Sequence, residues 1–217
     1  MSSLNSATCG ENKYQSIACG KAAGWQTVLL FTFLMATSPA QSATVYSQAS
    51  DSPDTAHPVN SSQTNPDGSD QDTTTFDNFT LNHAAQITGV TWRGNSTDAG
   101  SAGFNITIYG SQNNNASLAD LTNPLSVFTE LGKANEKLLG KHLSDFRAEF
   151  TQPVTLSAAK QYWISIVSLR SYPSPWGWSS ASGGDGRCIQ SFSEFKILPA
   201  QYDRAFSLLD GNVEPPK

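Results

Sequence analysis

The chain has 217 residues, of which 18 are acidic and 13 basic, and its formal net charge at pH 7 is −5. This length suits one domain with a sizeable core. An acidic surface repels phosphate backbones, and the sequence has no basic patch interleaved with aromatic residues, so the charge argues against nucleic-acid binding.

The first feature along the chain is an export signal, which we predict for residues 1–42. Lys21 precedes the apolar run of residues 28–36, and the small-residue site Ala40-Gln41-Ser42 follows it. The run is shorter than the roughly 18 residues that a membrane span needs. We therefore expect cleavage before Ala43 and a mature chain that has no membrane span. That chain is secreted or extracellular, with the periplasm as the alternative compartment.

Cleavage changes both the charge and the cysteine content. It removes two of the 13 basic and one of the 18 acidic residues, which leaves 11 and 17 and a net charge of −6. Cys9 and Cys19 are lost with the signal, so Cys188 has no partner within the mature chain. The favoured interpretation is a buried, reduced Cys188, and pairing between two chains is the alternative.

Residues 43–72 are predicted to form a flexible polar leader. They include few large apolar side chains, and such a segment cannot bury enough surface to offset its ordering entropy. We expect one short edge strand in it, near Val45.

From residue 73 onward the hydrophobic period becomes two, which is typical of half-buried antiparallel strands. Residues 104–109 and 145–150 alternate apolar and polar side chains, whereas residues 162–167 are apolar on both faces, as in a central strand. Residues 87–92 change phase at Gly89, which predicts a β-bulge.

The remaining patterns complete an all-β interpretation. Residues 205–209 are predicted as the last strand, and residues 125–130 as a strand that is followed by a long loop. The spacing of strands and turn formers predicts a jelly-roll-like antiparallel β-sandwich of about eight strands over residues 73–211, with a short tail at 212–217.

The chain also resembles a poorly characterised group of secreted bacterial β-sandwich proteins, many of which carry a PEP-CTERM sorting tail. The resemblance covers about residues 72–210 and implies the fold and export rather than an activity. It rests on residues 76–81, 87–94, 104–109, 162–166, 176–178 and 203–208. In this sequence Val213-Glu214-Pro215-Pro216-Lys217 stands where the tail would begin, without an apolar span, so we expect release rather than surface anchoring.

The sequence contains no recognisable enzyme motif. Its three histidines are far apart, and no nucleophile elbow or phosphate-binding glycine loop is present. Glycoside cleavage needs only two suitably placed carboxylates, which the sequence alone cannot pair. We interpret five candidates as solvated surface charges: Asp98, Asp145, Glu149, Asp185 and Glu194.

An aromatic loop gives the candidate ligand site. Trp176 and Trp178 follow a proline-rich approach, and Asp185 lies in the glycine-rich exit. Exposed indoles on a β-sandwich can pack against the apolar face of a sugar while polar neighbours bind its hydroxyls. We predict Trp176 as the main stacking face, with Trp178 and Asp185 contributing less. The alternative is that Trp178 caps the core and only Trp176 is partly exposed.

Asp77 and Asp203 are candidate ligands of a structural calcium ion. They open the first confident strand and the last one, and the two ends of such a sandwich are often neighbours. The alternative is that both carboxylates cap turns through their own backbone amides. We do not expect a catalytic metal or any other cofactor.

Together these patterns favour a secreted, non-catalytic module. It binds an extracellular polysaccharide or serves as a component of the matrix or envelope. The alternative is a small secreted carbohydrate-active enzyme, either a glycoside hydrolase or a polysaccharide lyase.

Overall fold

We describe the protein from a computed structural model. The structure describes residues 42–52, 56–62, 72–97, 101–112, 115–140, 142–170, 175–192 and 197–211. Residues 1–41 of the predicted signal and the predicted tail at 212–217 therefore lie outside the described residues.

The described chain consists of strands joined by turns and irregular segments, with no α-helix in the described ranges. It has fifteen strands, more than the predicted number of about eight, because the total includes seven strands of two to five residues. The strands are β1 (Ala43–Ser50), β2 (Val59–Asn60), β3 (Thr73–Thr80), β4 (Ala85–Asn95), β5 (Ser101–Gln112), β6 (Asn115–Leu131), β7 (Lys137–Gly140), β8 (Leu143–Leu156), β9 (Gln161–Arg170), β10 (Gly177–Trp178), β11 (Ser180–Ser182), β12 (Arg187–Phe192), β13 (Ile197–Gln201), β14 (Asp203–Arg204) and β15 (Phe206–Asp210).

These strands form two sheets. Sheet 1 has nine strands in the order β14-β11-β1-β15-β4-β10-β2, with β8 paired to β4 and β7 paired to β8. Sheet 2 has six strands in the order β13-β12-β3-β9-β5-β6. The chain crosses repeatedly between the sheets, and the paired strands run antiparallel. The predicted all-β antiparallel sandwich is confirmed.

Two local predictions are also confirmed. The register between β4 and β8 shifts between Ile87 and Gly89, as the phase change predicted. A side chain at Gly89 would meet the Ala148 carbonyl oxygen at 2.6 Å, which explains the glycine there. Strand β9 lies between β3 and β5, in agreement with its apolar residues on both faces.

The prediction of a flexible leader over residues 43–72 is wrong for the part of this segment that the structure describes. Strand β1 pairs with β15 and β11 inside sheet 1, so the strand expected near Val45 exists but is not an edge strand. The physical reason is that Val45 and Tyr46 pack against the core. The Tyr46 ring lies 5.5 Å from the rings of both Phe79 and Phe206.

The predicted long loop after residue 130 is also wrong. Strand β6 extends to Leu131, a turn covers residues 132–135, and β7 then pairs with β8. Gly132 and Gly140 have positive φ, so these glycines permit the bends between strands rather than marking a structureless loop.

The main core lies between the two sheets. It combines aliphatic side chains with a group of closely spaced aromatic rings that includes Phe79, Trp92, Phe104, Phe146 and Phe206. No helix with the length and apolar character of a membrane span occurs in the described part of the chain.

A second apolar cluster covers the outer face of sheet 2. Phe76 and Trp163 are buried there together with Ala119 and Ile189, and Leu118 packs against them. Neighbouring residues on the same strands, such as Phe79 and Ile164, point instead into the main core. Sheet 2 therefore carries buried apolar side chains on both faces, and those on its outer face form an apolar surface there.

Candidate functional site

The two indoles of the predicted ligand site lie in the core. Trp176 and Trp178 are both 0% exposed. The Trp176 Nε1 donates to the Asn95 carbonyl oxygen at 2.7 Å, and the Trp178 Nε1 donates to the Ala205 carbonyl oxygen at 3.0 Å. The predicted exposed stacking face is therefore wrong. The alternative is right in placing Trp178 in the core and wrong in leaving Trp176 partly exposed, because both indoles are buried.

The sequence indicated that the two indoles share a face, but it did not indicate that this face is buried. Residues two apart in an extended segment point to the same face, so Trp176 and Trp178 had to share one environment. Strand β10 pairs with β2 and β4, which turns that face inward. Tyr172, Pro173 and Ser174 of the proline-rich approach lie outside the described residues.

A buried arginine that the sequence analysis missed organises this end of the sandwich. Arg204 is 0% exposed, and burial lowers the pKa of its guanidinium. Its guanidinium donates hydrogen bonds of 2.7–3.1 Å to four backbone carbonyl oxygens, those of His57, Trp178, Gln201 and Tyr202. Arg204 thus ties three separate segments of the chain together.

The structure brings Asp77 and Asp203 together around Arg204. Burial raises the pKa of Asp77 well above its usual value, and the nearby Asp203 charge raises it further. The Arg204 backbone N–H donates to Asp77 Oδ2, and the Asn78 N–H donates to Oδ1 at 2.8 Å. Asp203 accepts N–H bonds from the turn that precedes β12, from Gly184 at 3.0 Å, Gly186 at 2.8 Å and Arg187 at 3.2 Å.

Both carboxylates are thus held by backbone N–H groups, but largely by those of distant segments rather than by their own. Asp203 caps the turn that precedes β12, whereas Asp77 links β3 to β14 through the Arg204 N–H. All four carboxylate oxygens face backbone N–H groups, whereas calcium requires six to eight oxygen ligands. Within the described ranges, no group of three or more His, Cys, Asp or Glu side chains is placed to hold a metal ion. The role of Asp203 is to fix the turn that carries Asp185, and a side chain at Gly184 would collide with the Asp203 carboxyl group at 2.4 Å.

Beside this turn lies a cavity on the outer face of sheet 2, which we call the outer cavity. Its volume is about 390 Å³, within the range of small-ligand sites. Buried Trp163, Cys188 and Ile189 contribute to its floor. The other lining residues are Leu118, Ile197, Pro199 and Ala200 on the apolar side, and Asn78, Ser117, Gln161, Asp185 and Arg187 on the polar side.

Asp185 is held in a fixed position at this cavity. Asn78 Nδ2 donates to Asp185 Oδ2 at 3.2 Å, and the Arg187 backbone N–H donates to Oδ1 at 2.9 Å. Each carboxylate oxygen retains acceptor capacity for a ligand hydroxyl. Asp185, the third predicted contact, therefore lines the outer cavity, whereas neither predicted indole lines it.

A larger and more open depression crosses the outer face of sheet 1, which we call the sheet 1 groove. Its volume is about 540 Å³. Arg93 forms a two-point ion pair with Asp145, at 2.7 and 3.2 Å, and Arg147 Nε donates to Glu149 Oε1 at 2.8 Å. Arg93 and Asp145 of the groove are thus paired with each other, and Arg147 is paired with Glu149, which is not among the lining residues.

The sheet 1 groove does not present a pair of carboxylates for glycoside cleavage. Asp145 is the acidic side chain among the described residues that line the groove, and Arg93 binds it at two points. Glycosidases use two carboxyl groups that flank the scissile bond. Asp185 lies at the other sheet, and Asp98 and Glu194 lie outside the described residues.

No protein-family model matches the chain, and no curated protein sequence matches it significantly.

Proposed function

We propose that this protein is a secreted, non-catalytic β-sandwich module that binds an extracellular glycan in the outer cavity. The observation that carries the proposal is the combination of an apolar floor with the polar side chains of Asn78, Gln161, Asp185 and Arg187 around one cavity. Export is part of the proposal and is supported by the apolar run and the small-residue site of residues 28–42.

The chemistry of the outer cavity suits a sugar ring. A sugar presents an apolar face of C–H groups and an equatorial rim of hydroxyls, each of which both donates and accepts hydrogen bonds. The apolar floor of the cavity contacts the C–H face of the sugar, while the carboxylate, amide and guanidinium groups around it bind the hydroxyls. Its volume suits one or two sugar rings, as at the end of a chain or on a branch.

The contacts that the carboxylate side chains make favour binding over cleavage. Asp185 is the acidic side chain that lines the outer cavity, and its partners Asn78 and the Arg187 amide both stabilise an acceptor. Asp145 and Glu149 are engaged by arginines at the other sheet. We therefore assign Asp185 a binding role rather than that of a general acid.

A glycan array and a reducing-sugar assay on the same purified protein test the proposal. We expect glycan binding without release of reducing ends. Asp185→Ala removes an exposed side chain, and it should weaken binding by about 1–3 kcal/mol, the cost of leaving hydrogen-bonding partners unsatisfied, without a change in melting temperature.

Gln161→Ala should weaken binding similarly, because Gln161 lines the outer cavity. Gln152→Ala is its matched control, since Gln152 is an exposed glutamine on β8 of sheet 1. Release of reducing ends would support the enzyme alternative. If both cavity variants bind the glycan as tightly as the wild type, the ligand binds somewhere other than the outer cavity.

Export is tested separately by N-terminal sequencing of protein recovered outside the cytoplasmic membrane. We expect a mature chain that begins near Ala43. Intact chain found in the cytosol alone would contradict the proposed compartment.

A further inference from the structure

A second depression lies on the outer face of sheet 2, beside the outer cavity, and we call it the polar depression. Its volume is about 270 Å³. Three neighbouring strands, β3, β9 and β5, supply most of its lining: Thr74, Asn105, Thr107, Tyr109, Ser165 and Val167. Hydroxyl groups therefore predominate here, whereas the floor of the outer cavity is apolar.

Two nearly buried hydroxyl residues lie next to each other in the polar depression. Thr107 on β5 and Ser165 on β9 are 8% and 2% exposed, and they are directly paired across the two strands. The residues that precede them, Ile106 and Ile164, belong to the main core. Because successive side chains of a strand point to opposite faces, Thr107 and Ser165 point to the outer face.

Neither of these hydroxyls has a hydrogen-bond partner among the described residues. Most buried polar side chains are hydrogen-bonded, and a hydroxyl that stays unpaired in a buried position destabilises the protein. The Thr107 and Ser165 hydroxyls can each donate one hydrogen bond and accept others. A sugar hydroxyl has the same capacity, so a sugar in the polar depression can bind both of them.

We propose that the polar depression is a second subsite for the glycan, and that the glycan is an uncharged polysaccharide whose chain continues from the outer cavity across sheet 2. This inference rests on the proposed function, because it takes the outer cavity as the place where the first sugars bind. It adds the direction of the chain and the chemical class of the polymer.

The same strands pass under both sites. On β9, Trp163 lines the outer cavity and Ser165 lines the polar depression, two residues or about 7 Å further along the strand. On β3, Asn78 lines the first site and Thr74 the second, which are four residues or about 13 Å apart. A chain of about three to four sugars is long enough to contact both sites.

Apolar surface connects the two sites. Phe76 lies on β3 between the residues that line them, and it belongs to the second apolar cluster together with Trp163. The Tyr109 ring packs edge-to-face against Phe76 at 5.6 Å and also lines the polar depression. The C–H face of a sugar that follows the outer cavity can therefore pack against the Tyr109 ring.

The charge of the polar depression favours an uncharged polymer. Asp72 is the charged side chain among the described residues that line it. A carboxylate there repels the carboxylate or sulfate groups of an acidic polysaccharide, whereas sugar hydroxyls can donate to it. The net charge of −6 that we expect for the mature chain acts in the same direction.

Titration calorimetry with oligosaccharides of increasing length tests the inference. The probes are cellulose, xylan, mannan and chitin oligomers, each from the disaccharide to the hexasaccharide. In the series that binds, we expect affinity to rise about tenfold from the disaccharide to the tetrasaccharide, as one or two added hydrogen bonds would give, and then to level off.

Thr107→Val and Ser165→Ala each remove one hydroxyl and change the shape of the side chain little. Each should reduce the gain in affinity with length by about fivefold, without a change in affinity for the disaccharide. The melting temperature should not fall, because the lost hydroxyl has no partner among the described residues. Thr91→Val is the matched control, since Thr91 is a partly buried strand threonine that lines the sheet 1 groove. It should keep the full gain.

The outcomes separate this inference from the proposed function. Disaccharide binding with no gain in affinity for longer oligomers would overturn the inference and leave glycan binding in the outer cavity intact. A gain that both Thr107→Val and Ser165→Ala leave unchanged would also overturn it, as would an equal loss in Thr91→Val. If none of the four series binds, the inference is rejected, and the glycan array then decides the proposed function separately.

Discussion

The indole of Trp176 occupies the space that a side chain at Gly94 would need. A β-carbon built on Gly94 would lie 2.1 Å from Trp176 Cζ2 and 2.6 Å from the Gly177 carbonyl oxygen. The glycine in β4 and the tryptophan before β10 are therefore one packing unit, although 82 positions separate them in the sequence.

Gly94→Ala should destabilise the domain by about 1–3 kcal/mol, because the added methyl group forces the indole or the strand to move. Gly110→Ala is the matched control. Gly110 is also a strand glycine, but a β-carbon there meets nothing within 4 Å. Urea denaturation compares the two variants. Equal stability of both would contradict the close packing at Gly94.

Trp176→Ala should lower the free energy of unfolding by about 3–5 kcal/mol, the usual cost of deleting a buried tryptophan. It removes edge-to-face contacts with Phe104 and Phe146 and leaves the Asn95 carbonyl without its indole donor. Thermal and urea unfolding measure the loss. If Trp176→Ala is instead as stable as the wild type and loses only glycan affinity, Trp176 contacts the ligand.

Arg204→Met should cost about 3–5 kcal/mol, because it removes the guanidinium that donates to four buried carbonyl oxygens and that supplies the cation beside Asp77. Arg147→Met is the control, since the Arg147 and Glu149 side chains are 42% and 53% exposed and an exposed ion pair contributes at most about 1 kcal/mol. Urea denaturation midpoints should separate the two substitutions clearly.

Glu136 should make stability depend on acid pH. Partial burial raises the pKa of Glu136, but hydrogen bonds from Thr97 and Ser144 outweigh it and hold that pKa below its usual value of 4.5. The unfolded state then binds the proton more tightly than the folded state, so this contribution is present above the unfolded pKa and is lost as pH falls through the folded pKa.

Glu136→Gln should therefore be less stable than the wild type at neutral pH, with a difference that shrinks once the pH is well below 4.5. Denaturation curves measured at both conditions give the comparison. A difference that stays constant with pH would assign the effect to shape rather than to charge.

Cys188 is buried and free, as the sequence indicated. Burial raises the pKa of its thiol to about 11, so the reactive thiolate is scarce in the folded protein. Native Cys188 should therefore react slowly with a thiol reagent and quickly after denaturation, as followed by mass spectrometry of its peptide. A dimer that disappears with reductant would contradict this burial. Cys188→Ser should cost about 1 kcal/mol through a buried hydroxyl.

The sequence by itself determined the strands and their faces. Alternation at residues 104–109 and 145–150, and the phase change at Gly89, are local consequences of a period of two, and each appears in the structure at the predicted place. The same local rule placed Trp176 and Trp178 on one face. It could not decide whether that face is covered, because coverage depends on which strands β10 pairs with.

Tertiary structure decided the rest through contacts between distant segments. The polar segment around β1 is ordered because β15, at the other end of the chain, offers it a partner strand and a core for Tyr46. Arg204 has no signature in the sequence, since two of its carbonyl partners, those of His57 and Trp178, lie on distant segments. Asp185 lines a cavity only because Asp203 fixes its turn beside sheet 2. Local periodicity specifies which way a side chain points from its strand, whereas long-range pairing determines what it meets.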